Sequence, residues 1–341
     1  MKKLIVKNKL FLLLASLLLL TTCVDPIEFN PRDEDDFLVV DGRMTDGDGP
    51  HVVKLTRTEI VGRSSNFPTE TGAQISVIEN GDKEYFFNEI DPGKYQLEGV
   101  PGVPGNSYQL RIRLSNGILY ESNPEILPPQ IQPDSVFFEF DRIQTISVFS
   151  QLTIPGNIEK GPYLKWQFDH AYQITDLVCN PFDVATICYF QFPRNNQLLP
   201  LLDGSGLARG GMVKQLLSEV EVFGTVFGEK NYFTVVQESI TADAYEYWSR
   251  VARLISQNGS IFDNPPGGIR GNIFRTDEPN ELVLGYFYAA SERTDHIPTL
   301  PSDFVPLTIN PYCGVPGLPP QPFPEGCCFC SFLVKNQIEK P

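Results

Sequence analysis

Seven cysteines and three histidines are the residues of this chain whose chemistry extends furthest beyond solvation. Six of the cysteines, Cys179, Cys188, Cys313, Cys327, Cys328 and Cys330, lie in its second half. An even number in an exported chain reads as disulfides, and adjacent Cys327 and Cys328 are poor partners for each other. The expectation is that one tail cysteine closes onto Cys313 and others onto the Cys179/Cys188 loop. A zinc site built from Cys313, Cys327, Cys328 and Cys330 is the rival, but paired Cys-x-x-Cys spacing is missing and an oxidising compartment favours disulfides. His51, His170 and His296 have no metal-ligand spacing to one another, and no H-E-x-x-H motif occurs.

Other short stretches fall short of a catalytic motif. Gly204-Ser205-Gly206 lacks the first glycine of a nucleophile elbow and the G-x-G-x-x-G spacing of a dinucleotide loop, so it reads as a flexible loop. "TDGDGPH", residues 45–51, has the alternating aspartates that a calcium ion prefers. Pro50 and His51 then occupy the next ligand places, and a turn between strands accounts for the stretch without an ion. Acid pairs for glycoside hydrolysis are recognised by distance in space rather than along the chain, which leaves a surface hydrolase as a third-ranked reading. The expectation is a non-catalytic protein with no metal and no cofactor.

Cys23 belongs to a different logic. Lys2, Lys3, Lys7 and Lys9 precede an uncharged apolar run, Leu10 to Leu20, and "LTTC" follows, with Thr22 where a lipobox more often has Gly or Ala. A membrane-spanning helix needs about 20 apolar residues, so the run is too short to span and matches an export signal. The stretch Leu20 to Cys23 resembles a bacterial lipobox, in which the cysteine sulfur is acylated and becomes the new N-terminus. Acyl chains bury about 0.8 kcal/mol per CH₂, and a multiply acylated cysteine stays on its membrane. Asp25, Glu28, Asp33, Glu34, Asp35 and Asp36 then make residues 23–36 a solvated acidic tether.

The elements that must carry these groups read as β structure. The chain has 41% hydrophobic and 20% charged residues, a globular balance, while 29 prolines and 27 glycines spread along it argue against a helical protein. A formal charge of -15, more negative once the leading lysines are removed, disfavours nucleic acid and anionic headgroups as partners. Residues 37–127 alternate with period two: in "SYQLRIRL" Tyr108, Leu110, Ile112 and Leu114 point one way and Gln109, Arg111 and Arg113 the other. Asn80-Gly81 and Asn116-Gly117 supply tight hairpin turns. This is a mainly β chain whose first domain is a sandwich of immunoglobulin or transthyretin type.

Residues 128–305 follow a proline-rich joint and form a second β-rich domain with one helix near 242–257. Thr241 caps it, Gly259 ends it, and Ala244, Tyr247, Trp248, Val251, Leu254 and Ile255 form its apolar stripe, expected as core. Both tryptophans, Trp166 and Trp248, are expected to be buried, which argues against a sugar-stacking platform. The Gly/Pro-dense stretch 262–273 reads as a crossover, and residues 306–341 as a Pro/Cys-rich tail, with residues 1–22 the lipoprotein signal peptide. Asp134-Ser135-Val136 looks like the O-glycosylation sequon of some Bacteroidota.

Taken together the chain resembles the Bacteroidota lipoprotein family catalogued as domain of unknown function 4249. The resemblance rests on the lipobox at Cys23, "LVVDGRMTDGDGPHVVKLTRT", "GAQISVIENG", "PGNSYQLRIRLSNGILYES", "EYWSRVARLISQNGSIFDNPPGGIRGNI", "VLGYFYAAS" and the cysteine-rich end. The tail departs from the family, with Cys327-Cys328-Phe329-Cys330 in place of Cys-x-x-Cys. The resemblance implies an outer-membrane lipoprotein, lipid-anchored at Cys23 and, from the acidic residues after it, facing the cell exterior. It also implies an accessory to a TonB-dependent receptor in nutrient uptake. A free-standing glycan- or peptide-binding module is the alternative.

Overall fold

Alternation drives most of the strands. In Ser107–Arg113, Tyr108, Leu110 and Ile112 are fully buried while Arg111 and Arg113 face outward, and burying each apolar side chain contributes about 1.5–3 kcal/mol. A computed structural model describes residues 37–58, 68–157, 161–176, 184–192, 198–222, 225–256, 269–305, 307, 313, 327, 330 and 337–338. The signal peptide 1–22, Cys23, the tether 23–36, Cys179, Cys328, Gly259, the stretch 262–268 and most of the tail 306–341 lie outside these residues.

In chain order the strands are β1 Leu38–Thr45, β2 His51–Arg57, β3 Gln74–Glu79, β4 Lys83–Phe86, β5 Asn88–Asp91, β6 Lys94–Leu97, β7 Ser107–Arg113, β8 Leu119–Ser122 and β9 Glu125–Ile126. They continue with β10 Ser135–Phe140, β11 Thr145–Thr153, β12 Tyr163–Thr175, β13 Ile187–Gln191, β14 Leu201–Asp203, β15 Met212–Glu221 and β16 Asn231–Ile240. After helix α1, Ala242–Ser256, come β17 Ile273–Arg275, β18 Leu284–Thr299 and β19 Gln337–Ile338. The protein is therefore mainly β, with one α-helix among the described residues.

The strands form three sheets. A ten-stranded sheet runs β19-β13-β12-β16-β18-β1-β2-β6-β5, with β14 also on β12. A six-stranded sheet runs β17-β8-β7-β3-β4 with β9 on β7, and β10-β11-β15 form the third. Both smaller sheets pack on the same face of the large one. One core joins Val40, Val53, Leu55 and Phe287 of the large sheet to Ile75, Leu110, Ile112 and Tyr120 of the six-stranded sheet. The other joins Leu164, Trp166, Phe233 and Val235 to Ile146, Val148, Leu152 and Leu217 of the three-stranded sheet. Helix α1 lies on the opposite face, against Tyr286, Tyr288 and Ile240.

Pairing crosses the 127/128 boundary expected from the sequence. β1 pairs in parallel with β18, residue Val39 opposite Leu284 through Thr45 opposite Ala290, and β17 pairs with β8. Residues 273–290 thus complete the N-terminal sandwich. The two strands meet closely at Gly285, where φ is +89° and an added Cβ would lie 1.9 Å from the Val40 carbonyl oxygen; only glycine fits there.

Turn chemistry departs from expectation at one place. Asn80 and Gly81 both have positive φ, as a tight hairpin demands. At Asn116-Gly117 only the glycine does. Backbone bonds from Gly117 N to Leu114 O and from Leu114 N to Ile118 O, each 2.9 Å, close this turn, and the Asn116 side-chain oxygen adds a third by accepting from the Ile118 amide at 3.0 Å.

Candidate functional site

The strand period places a row of charged residues on the helix-facing side of the large sheet. Lys165 of β12 stands opposite Glu238 of β16, Glu238 opposite Glu292 of β18, and Arg43 of β1 opposite Tyr288 of β18. Glu238 is fully buried and Lys165 is 3% exposed. The Glu238 carboxylate takes the Lys165 ammonium on one oxygen and the Arg43 guanidinium on the other. Tyr288 adds its hydroxyl 3.0 Å from Lys165 Nζ and 3.1 Å from Glu238 Oε2, and Arg43 reaches Glu292 at 3.1 Å. The ammonium sits 5.0 Å over the Trp248 ring.

Electrostatics lock this cluster. Burial opposes the charge on Glu238, but Lys165 and Arg43 outweigh it and hold the carboxyl below its ordinary range. For Lys165 burial is likewise outweighed, by Tyr288 and Glu238, and its affinity for the proton is raised. Burial, then the Glu238 charge, pushes the Tyr288 phenol up to about 12. A nucleophilic lysine or a general base requires the opposite shifts. Two cations balancing two carboxylates cross-link four strands; they do not present a reactive group.

A second buried carboxylate has only neutral donors. Glu125 accepts from Tyr286 Oη at 2.6 Å, Thr241 Oγ1 at 2.8 Å and Asn272 Nδ2 at 3.3 Å, and burial raises its pKa. Thr241 is also the cap of α1, its hydroxyl accepting from the Ala244 amide at 3.2 Å. This group pins the helix start to β9 and β18.

The outer face of the six-stranded sheet carries a groove of about 210 Å³ lined by Gln74, Ser76, Glu84, Phe86, Arg111 and Arg113. Register explains it: Ser76 lies between Phe86 and Arg111, and Gln74 lies beside Arg113. A serine between two large side chains leaves a dip. Ser76 donates to Glu84 at 2.6 Å, and Arg111 lies 2.9 Å from Glu121 and 3.5 Å from Glu84.

Among the described residues the cysteines pair as Cys188–Cys330 and Cys313–Cys327, with Cα atoms 6.0 and 5.2 Å apart. A tail cysteine thus meets Cys313 and another meets the 179/188 region, and Cys313, Cys327 and Cys330, three of the four thiolates of the zinc alternative, are held in disulfides, while Cys328 lies outside the described residues. His51 contacts the Val100 carbonyl, His170 lies in a pocket of Phe192, Phe227 and Phe233, and His296 meets Thr234. Residues 46–48 form a bend, with Asp46 accepting from the Glu292 amide at 2.7 Å. Asp203 accepts from the Ser205 amide at 2.8 Å, closing the Gly-Ser-Gly loop as a turn. Asp134 accepts from Thr153 at 2.7 Å, and Ser135 is exposed at the start of β10.

Two expectations are corrected on α1. Trp248 is half-buried rather than buried, and Ile255 is 40% exposed. Tyr247 and Trp248 pack on Tyr286 and Tyr288, while Ile255 near the helix end is open to solvent; only Ala244 is fully buried. The Arg43/Lys165/Glu238/Glu292 cluster escaped sequence reasoning, because charged residues alternating with apolar ones read as solvent-facing. The signal available was the short apolar partner face of α1, which must cover something.

A family model described as domain of unknown function (DUF4249) matches residues 24–296. No curated protein matches the chain. Among solved structures, a two fibronectin type-III domain segment from chicken tenascin is 12% identical, covers 60% of this chain and 91% of its own, and has a TM-score of 0.16, at which the likeness supports no argument.

Proposed function

The chain belongs to the DUF4249 family, and from that premise we propose that it is a lipid-anchored outer-membrane lipoprotein, facing the cell exterior, that works by docking on a TonB-dependent receptor rather than by catalysis. The observation that carries the reading is the pair of disulfides in a chain that starts with the layout of a lipoprotein export signal. Disulfides persist in oxidising compartments outside the cytosol. The family match starts at residue 24, so the shared unit lies wholly beyond Cys23.

Two further features fit. The fourteen residues 23–36 would reach about 45–50 Å when fully extended, enough to let the folded part move over a membrane protein. The acids and bases brought together on the large sheet neutralise one another, which suits a rigid scaffold. Growth on radiolabelled palmitate tests the anchor: the intact chain takes up label and fractionates with the outer membrane, and Cys23→Ser does neither. Label retained by the variant contradicts the assignment.

A further inference from the structure

We propose that the groove on the outer face of the six-stranded sheet binds one ring of a carboxylated sugar, a uronic or sialic acid residue, with Arg113 taking the carboxylate and Phe86 taking the apolar face of the ring. This goes beyond docking on a receptor and does not depend on it.

The six lining residues come from adjacent register positions on β3, β4 and β7, so ladder hydrogen bonds fix their spacing. Rigid strands hold such a constellation better than loops do. Within it the two arginines differ. Arg111 is held between Glu121 and Glu84. Arg113 is exposed and has no carboxylate partner among the described residues, although the chain carries 42 acids against 27 basic residues. A guanidinium left free beside a groove is suited to a planar carboxylate, which it binds through two parallel hydrogen bonds.

The other walls point to a sugar. Phe86 is 50% exposed on the edge strand, and the negative face of its ring suits the C–H face of a pyranose. Gln74 can donate and accept, and Glu84 accepts, which matches ring hydroxyls that do both. A volume of about 210 Å³ is below the roughly 300–1,000 Å³ of sites for drug-sized ligands, so the groove takes one ring. A peptide carboxyl terminus would use Arg113 equally well but leaves Glu84 facing backbone with few donors.

The test is saturation-transfer difference NMR on the full chain with the methyl glycosides of glucuronic acid, galacturonic acid and N-acetylneuraminic acid, and methyl glucoside as the neutral control. At least one acidic glycoside is expected to give a signal that methyl glucoside lacks. Replacing Arg113 with Gln removes a charge-assisted contact and is expected to weaken binding by about tenfold. Phe86→Ala is expected to weaken it by a similar factor, with circular dichroism unchanged in both. Because both side chains are on the surface, the variants fold. No response to any acidic glycoside, an equal response to the neutral one, or binding indifferent to Arg113→Gln overturns the proposal. A terminal-carboxylate tripeptide that binds while the sugars do not would assign the groove to peptides instead.

Discussion

Glu238→Gln probes the ion cluster most sharply. The substitution keeps the shape of the side chain but leaves the Lys165 ammonium, 3% exposed, and the Arg43 guanidinium without their shared countercharge. Removing one partner of a buried pair costs about 3–5 kcal/mol, most of it the penalty for the charge left behind. For a large domain at about 2–4 °C per kcal/mol, the melting midpoint should fall by roughly 10 °C. Lys165→Met should cost less, about 1–3 kcal/mol, because Glu238 keeps Arg43, whose side chain is 35% exposed and partly hydrated. The double variant should be more stable than the sum of the singles by about 1–3 kcal/mol. Urea unfolding followed by tryptophan fluorescence reads this directly, since Trp166 is buried and Trp248 stacks over Lys165. The pH dependence has a definite sign: the Glu238 pKa is depressed on folding, so its contribution is present above the unfolded carboxyl value and is lost as pH falls. A cost below about 1 kcal/mol for Glu238→Gln, or strict additivity in the double variant, refutes the reasoning.

Other consequences follow from named residues. Burial lowers the His170 pKa to about 4, so below pH 6.5 the unfolded chain takes up a proton the folded one refuses, and stability drops by about 3 kcal/mol by pH 4; His170→Phe should remove that part of the slope in pH-dependent urea titrations. Reducing Cys188–Cys330, which closes a span of 142 residues, should cost up to about 5 kcal/mol on the chain-entropy account, and Cys313–Cys327, with a span of 14, about 3 kcal/mol; paired Cys→Ala variants in denaturant titrations separate the two. Gly285→Ala forces a Cβ to within 1.9 Å of the Val40 carbonyl and should part β1 from β18, with loss of soluble protein or a fall of about 3 kcal/mol or more. Wild-type yield and midpoint for that variant would refute the parallel junction.

The strands of the first half were legible because one face is buried and the other is wet: Tyr108, Leu110 and Ile112 against Arg111 and Arg113 needed only period two. The helix, expected at 242–257 and found at Ala242–Ser256, was legible from its cap and spacing. The parallel pairing of β1 with β18 was not, since its partners lie about 245 residues apart and β18, buried on both faces from Tyr286 to Ala290, has no alternation to show which sheet it enters. For the same reason a chain expected to divide at 127/128 shares one sheet across that point. Arg43, Lys165, Glu238 and Glu292 looked like ordinary outward-facing charges, because nothing in a single strand reports that a helix covers its second face. The pairing of one tail cysteine with Cys313 and of another with the 179/188 region was visible from count and adjacency.

The proposed function makes the folded part the receptor-docking piece of a surface lipoprotein. Affinity purification of the chain, tagged at its C-terminus, from outer membranes extracted in mild detergent tests this most directly. Recovery of a TonB-dependent receptor in near-equal amount from cells carrying the native Cys23 is the expected result, and recovery of the lipoprotein with no outer-membrane partner would overturn the docking role.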